Sequence, residues 1–249
     1  MAVTIIGGAG KKGSTNLRGY SFGGCTDTEL VQLIADADAG KIDLVKDCGW
    51  QVGDRRTFNK EVTDNSTFNI AVWVLLNKGG VELVNGEECH FAVGLENCYT
   101  SSQMHSSNIG SWNNCNMRTW CNSTFKNDIA STYRNIFKQF KCITWDYGSN
   151  SLVTSNDYFA LLAEKEVFGI YLNSRANEGQ RLVPFSYFNN LQSRIKQTSQ
   201  TTGTSSGSGT GWWLRSPNSS AYFCSVTANG HAVNNDATAS RGVCPFGCI

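Results

Sequence analysis

The run Asn69-Ile70-Ala71-Val72-Trp73-Val74-Leu75-Leu76 constrains this chain more than any other. It is apolar without interruption and rich in β-branched side chains, which predicts a strand buried on both faces. A strand of that kind needs protein above and below it. With 249 residues and 40% hydrophobic content, the chain has material for such a core. Asn77-Lys78-Gly79-Gly80 reads as the turn that ends the strand. Residues 81–84, 89–95 and 142–147 read as further strands.

Helices are predicted around this β-rich centre. Thr26-Asp27-Thr28-Glu29 is a capping box, followed at helical spacing by Leu30, Leu33, Ile34 and Ala37, with Gly40 as the stop. Ser111-Trp112-Asn113-Asn114 is expected to cap a second helix, with Met117, Trp120, Cys121 and Phe125 on one face. Arg118, set among aromatics, reads as a paired structural arginine. Residues 128–140 read as a helix burying Ile129, Tyr133, Ile136, Phe137 and Phe140, and residues 185–196 as another. The glycine-rich residues 1–25 are expected to form a flexible arm, and residues 26–249 a single domain. Residues 197–211, rich in Thr, Ser and Gly, are expected to form a flexible surface loop.

Charge and motif content exclude several classes. The net charge is +1 and only 16% of residues are charged. With no Lys/Arg cluster beyond Lys11-Lys12 and Arg55-Arg56, an electrostatic grip on nucleic acid or an anionic membrane is not expected. No run is long enough to predict membrane insertion, and Met1 to Gly8 lacks the features of a signal peptide. The ten cysteines contain no C-x-x-C and are expected to be mostly free, several of them buried. Cys89-His90 and the Cys244/Cys248 pair are weak hints of metal, and neither metal nor cofactor is expected. Phosphate-loop and dinucleotide fingerprints are absent, and His90, His105 and His231 stand apart from any nucleophile signature. Glu164 and Glu166 could supply acid/base chemistry in principle, but read better as a helix start or a surface pair.

The C-terminal segment 212–249 is unusual. Gly211-Trp212-Trp213-Leu214-Arg215-Ser216-Pro217 opens it and Gly242-Val243-Cys244-Pro245-Phe246-Gly247-Cys248-Ile249 closes it. Between them, residues 218–241 contain no Lys, Gln, Glu, Met or Trp. Randomising the adenines of an Asn codon yields codons that never encode those five, nor a stop, and every residue from Asn218 to Arg241 belongs to the permitted set. A plain Ser/Asn/Ala-rich loop region is the bland alternative. Asn229-Gly230 signals a hairpin. Trp213, Cys224, Val226, Val243 and Phe246 would form an inner framework holding an outward set of small, polar and aromatic side chains.

These runs resemble the DUF6273 proteins found in Firmicutes and in phages and prophages of gut bacteria. The resemblance is carried in order by Lys41-Ile42-Asp43-Leu44, Trp50 to Arg56, Gly110-Ser111-Trp112-Asn113, and Met117-Arg118-Thr119-Trp120-Cys121-Asn122. It continues through Ile136 to Lys141, Asp157 to Leu161, Glu164 to Gly169, Trp212-Trp213 with Arg215-Ser216-Pro217, Tyr222-Phe223-Cys224 with Val226, and Pro245 to Ile249. Cys244 and Leu214 depart from the pattern. The resemblance implies an α+β, C-type-lectin-like fold, the scaffold also of formylglycine-generating enzymes. Some such proteins are variable proteins of diversity-generating retroelements, set at phage tail tips and binding the host surface. The Glu-Pro-Asn and Trp-Asn-Asp triplets of calcium-dependent lectins are missing, so their sugar chemistry does not carry over.

The expected function is therefore binding, not catalysis, by a phage or prophage tail-associated protein. The expected contact residues are Asn218, Ser219, Ser220, Tyr222, Ser225, Thr227, Asn229, His231, Asn234, Asn235, Asp236 and Thr238. Tyr offers a large rigid contact, and Ser and Asn offer adaptable hydrogen bonds. Expected partners are a protein or glycan on a bacterial surface, other tail proteins, and copies of the chain in a homotrimer. The expected location is the virion, or the bacterial cytoplasm before assembly. Two alternatives stand beside this. One is an invariant structural tail or surface protein. The other is a formylglycine-generating-type oxidase using Cys244 and Cys248, whose spacing on one strand would hold them roughly 13 Å apart.

Overall fold

The computed structural model describes residues 17, 19–58, 71–175, 178, 182–198 and 209–249. In chain order the elements are α1 (Asp27–Asp38), β1 (Arg55–Phe58), β2 (Ala71–Lys78), β3 (Phe91–Leu95), β4 (Thr100–Ser102) and α2 (Asn116–Trp120). A π-helical turn, Cys121–Phe125, carries α2 into α3 (Lys126–Asp128), followed by α4 (Ser131–Arg134), β5 (Phe140–Asp146), β6 (Ser151–Asp157), β7 (Phe159–Ala160) and α5 (Glu164–Phe168). Then come β8 (Trp212–Pro217), β9 (Tyr222–Val226), β10 (Ala232–Asp236), β11 (Arg241–Val243) and β12 (Phe246–Cys248). Among the described residues the protein is α+β, with two five-stranded sheets ordered β1-β2-β3-β12-β7 and β10-β9-β8-β11-β4, and a β5–β6 hairpin.

The predicted central strand is β2. Its Trp73, Val74, Leu75 and Leu76 are all buried, whichever face they point to. Trp73 lies against Phe58, Phe125, Phe137 and Phe159, with centroids 5.3–6.1 Å apart. Such ring pairs add to the area they bury. The C-terminal chain joins the two sheets: β11 pairs with β4 and β8, and three residues later β12 sits between β3 and β7. Gly247 permits this, because a Cβ there would lie 2.8 Å from the Phe159 ring and 2.9 Å from that of Phe137.

The capping box forms at α1. Thr26 Oγ1 accepts from Glu29 N, and Thr26 N donates to Glu29 Oε2. Leu30, Leu33, Ile34 and Ala37 are buried against the domain. Of the predicted arm, Leu17, Phe22 and Cys25 belong to the core, with Phe22 packed on Trp50 and Phe58. The arm reading is corrected there, since these apolar side chains are docked; Lys11-Lys12 and residues 1–16 lie outside the described residues, as do Asn69 and Ile70 and most of the predicted 197–211 loop.

Three helix predictions change. The second helix is capped by the Cys115 thiol, which accepts from Arg118 N, while Ser111 Oγ is taken by Asn114 Nδ2. In 128–140 only Asp128, the last residue of α3, and Ser131–Arg134 are helical, yet Ile129, Tyr133, Ile136, Phe137 and Phe140 are all buried as expected. Burial of Phe137 among Trp73, Phe58 and Phe159 overrides local propensity. Residues 185–196 form two single 3₁₀ turns, Ser186–Phe188 and Gln192–Arg194. Residues 81–84 make only isolated bridges, Glu82 to Glu88 and Leu83 to Phe140.

Candidate ligand-binding face

The predicted hairpin forms between β9 and β10, with Gly230 at φ +82° in its turn. The frame beneath it is closed: Trp213, Phe223, Cys224, Val226, Val243 and Phe246 are buried. Ser220, Tyr222, Asn229, His231 and Thr238 are exposed, and Asn218, Ser219, Thr227, Asn234, Asn235 and Asp236 are half-buried. The exception is Ser225, at 0% exposure. Its outward placement is corrected: β9 is covered on both faces, and Ser225 Oγ accepts from Asn235 Nδ2 at 2.8 Å. Arg241 in turn donates to Asn235 Oδ1, so the Asn235 amide is committed to its own sheet.

These residues do not form one cluster. Tyr222 stands opposite Asp236 at the open end of the hairpin, whereas Val226 stands opposite Ala232 beside the turn. The four-residue offset separates the ends by roughly 13 Å. Ser220, Tyr222, Asp236 and Thr238 gather at the open end, Asn229 and His231 at the turn. Thr227 braces that turn, its Oγ1 accepting from His231 N at 3.1 Å.

Asn218 and Ser219 shape the open end. Both backbone amides donate to Tyr222 O, and Ser219 Oγ accepts from Ala221 N. Asn218 Nδ2 donates to Asn173 O at 2.6 Å, and Asn218 O accepts from the Tyr147 hydroxyl. Gly110 runs so close beneath that a Cβ on it would lie 2.0 Å from Ser219 O. Beside this end, the exposed Arg175 guanidinium lies 4.2 Å from the Trp145 ring and 5.7 Å from that of Tyr147. Sequence reasoning missed Tyr147, Asn173 and Arg175, because they come from the β5–β6 turn and the chain after α5 and carry no motif.

Glu164 and Glu166 are buried at the start of α5, which corrects the surface-pair reading. The Glu164 carboxylate accepts from the backbone amides of Leu172, Asn173 and Ser174 at 2.8–2.9 Å, and from the side chains of Asn173 and Ser174. It thereby pins the loop that leads to Arg175. Glu166 is held by both terminal nitrogens of Arg215 and by Ala163 N, each at 2.7 Å. Glu178, also buried, has burial pushing its carboxyl up to about 7. Burial, with the negative charges of Glu164 and Glu178 nearby, raises the Cys224 thiol well above its usual range.

Among the described residues no set of three or more His, Cys, Asp or Glu side chains is arranged to hold a metal ion, and no helix is long and apolar enough to cross a membrane. A cleft of about 720 Å³ lies elsewhere, lined by Arg55, Glu96, Asn97, Tyr187 and Asn190 among others, and contains none of the predicted contact residues. Cys244 and Cys248 do not face each other; Cys244 meets Cys98, and Cys248 lies beside Cys89.

The profile of a domain of unknown function, DUF6273, matches residues 73–249. The chain belongs to the DUF6273 family. No curated protein and no solved structure matches it. Lys41 to Leu44 and Trp50 to Arg56 precede the matched span of this DUF6273 chain. Within the span, runs far apart in sequence meet in the core. The buried Asp157 carboxylate accepts from Trp112 Nε1 at 3.0 Å, Arg118 Nε at 2.8 Å, Asn122 Nδ2 at 3.2 Å and Ser155 Oγ at 2.8 Å. Arg118 is therefore a paired structural arginine, as predicted.

Proposed function

We propose that this DUF6273 chain is a ligand-binding protein, a phage or prophage tail-associated variable protein diversified by a retroelement, on a C-type-lectin-like scaffold. Its C-terminal hairpin would meet a protein or glycan receptor on the bacterial surface. The observation that carries this reading is the contrast within one short segment. Ser220, Tyr222, Asn229, His231 and Thr238 are exposed, while Phe223, Cys224 and Val226 are shut inside. Side chains on the outer positions can change without disturbing the frame, which lets specificity vary while stability is kept. The codon-restricted composition of residues 218–241 supports the same reading.

The contact set narrows to the open end: Ser220, Tyr222, Asp236 and Thr238, flanked by Arg175. A tyrosine with small polar neighbours suits recognition of mixed polar and apolar surfaces. Sequencing sibling genes tests the diversification. Differences should concentrate in codons 218–241, at adenines of a near-identical template repeat close to a reverse transcriptase gene. Differences spread evenly along the chain would leave an invariant structural protein. Binding of the purified chain to host cells tests recognition: Tyr222→Ala with Asp236→Ala should abolish it, and equal binding would refute a role for this face.

A further inference from the structure

All ten cysteines are buried thiols. Two of them, 146 residues apart in sequence, are nearly in bonding contact: the Cys244 and Cys98 sulfurs lie 3.0 Å apart. That is roughly 1 Å beyond a disulfide bond. The backbone on either side is already fixed. Tyr99 N donates to Val243 O at 2.8 Å, Cys98 N to Gln197 O at 3.0 Å, and Leu95 N to Pro245 O at 3.2 Å. Gly242 makes room for the pair, since a Cβ there would lie 2.4 Å from the Cys98 sulfur. The two thiols therefore sit where the C-terminal chain passes from one sheet to the other.

We propose that Cys98 and Cys244 form a disulfide when the chain meets an oxidising thiol–disulfide medium. This would tie the β3–β4 connection to the β11–β12 connection. A low-molecular-weight disulfide is the oxidant. The Cys98 thiolate attacks one of its sulfurs, forming a mixed disulfide and expelling one thiolate. The Cys244 thiolate then attacks the Cys98 sulfur and expels the second. One S–S bond forms in the protein and one breaks in the reagent. The reagent takes both electrons, and the two protein protons end on the two released thiols.

The surroundings set when this happens. Cys98 and Cys244 are 0% and 2% exposed, so exchange requires local opening of the C-terminal chain or must precede its docking. The shared hydrogen bond with Cys244, together with burial, holds the Cys98 proton well above the usual thiol range. The buried Lys196 ammonium, which donates to Leu95 O and Glu96 O, acts in the opposite direction and favours the thiolate. Because the closed loop is long, the bond should raise the melting midpoint by roughly 10 °C. The inference is independent of the receptor-binding reading.

The test uses the full chain, purified reduced and equilibrated with excess oxidised over reduced glutathione. It is then acid-quenched, unfolded and alkylated, and its peptides are mapped without reduction. The expected result is two fewer alkylated cysteines, a cross-linked peptide joining Cys98 to Cys244, and a melting midpoint that falls back on adding dithiothreitol. Alkylation of all ten cysteines would overturn the proposal. So would a cross-link confined to other cysteines, the neighbouring Cys89 and Cys248 included.

Discussion

Arg215 grips Glu166 through two parallel hydrogen bonds of 2.7 Å, inside the protein, at the point where β8 crosses α5. The same guanidinium donates to Leu161 O and lies 5.6 Å from the Phe246 ring. One side chain thus ties together both sheets and the helix. Removing only the cation would leave the Glu166 charge buried and unpaired. Arg215→Met is expected to cost about 3–5 kcal/mol in urea unfolding. The double variant Arg215→Met/Glu166→Leu should lose less, because no bare charge remains; a double variant less stable than Arg215→Met would contradict this account.

Glu178 gives the stability a pH dependence. Its carboxyl is raised from 4.5 to about 7 by burial, so the folded state holds a proton that the unfolded state releases between those values. Its contribution to stability is fully present below about pH 4.5 and is lost as pH rises towards 7. The full shift corresponds to about 3 kcal/mol. Unfolding free energies measured across that window should decline with pH in the wild type, against a flatter profile in Glu178→Gln. Parallel profiles would assign the slope to other groups.

Asp157 is the shared acceptor of Trp112, Arg118, Asn122 and Ser155. Asp157→Ala strands several donors at once, two of them charged or aromatic. We expect a loss of about 3–5 kcal/mol, with Asp157→Asn intermediate because the shape is kept and the charge is not. Thermal denaturation of the two variants would check the order.

Gly110→Ala should act on the candidate face from beneath. The added methyl would meet Ser219 O at 2.0 Å, so the 218–220 turn must move. A cost of about 1–3 kcal/mol is expected. Hydrogen exchange should quicken at the Asn218 and Ser219 amides, which both donate to Tyr222 O. Unchanged exchange there would show that the turn does not depend on Gly110.

The outer and inner positions of the hairpin should tolerate substitution very differently. Tyr222→Ser, Ser220→Tyr and His231→Ala should each stay within about 0.5 kcal/mol of the wild type. Ser225→Tyr must force a large ring into a closed site beside Asn235, at a cost of at least about 1–3 kcal/mol. Chemical denaturation of the four variants separates the classes, and equal losses would remove the distinction between frame and face.

Periodicity and local chemistry determined much of this protein before any tertiary contact was known. The unbroken apolar run fixed β2, because only a strand covered on both sides can hide every one of its side chains. The Thr26–Glu29 box fixed α1, and Asn229-Gly230 fixed the β9–β10 turn, since these signals act within a few residues. The burial of Ile129, Tyr133, Ile136, Phe137 and Phe140 was also legible, but their helix was not. Hydrophobicity dictates that a side chain goes inside, while the conformation that takes it there is set by what it packs against.

The tertiary structure alone decided the rest. Nothing local shows that Glu164 would be claimed by the amides of residues 172–174, or that Glu166 would be claimed by Arg215, 49 residues away. Nor does alternation along β9 reveal that Ser225 is covered, because alternation assumes one wet face, and here both are covered. Arg175, Tyr147 and Asn173 reach the open end of the hairpin only because separate loops converge there. The same holds for Cys98 and Cys244, which a pattern search treats as unrelated and which the crossing of the C-terminal chain between sheets brings to within 3.0 Å. A sequence records which groups are available; which of them meet is settled by long-range packing.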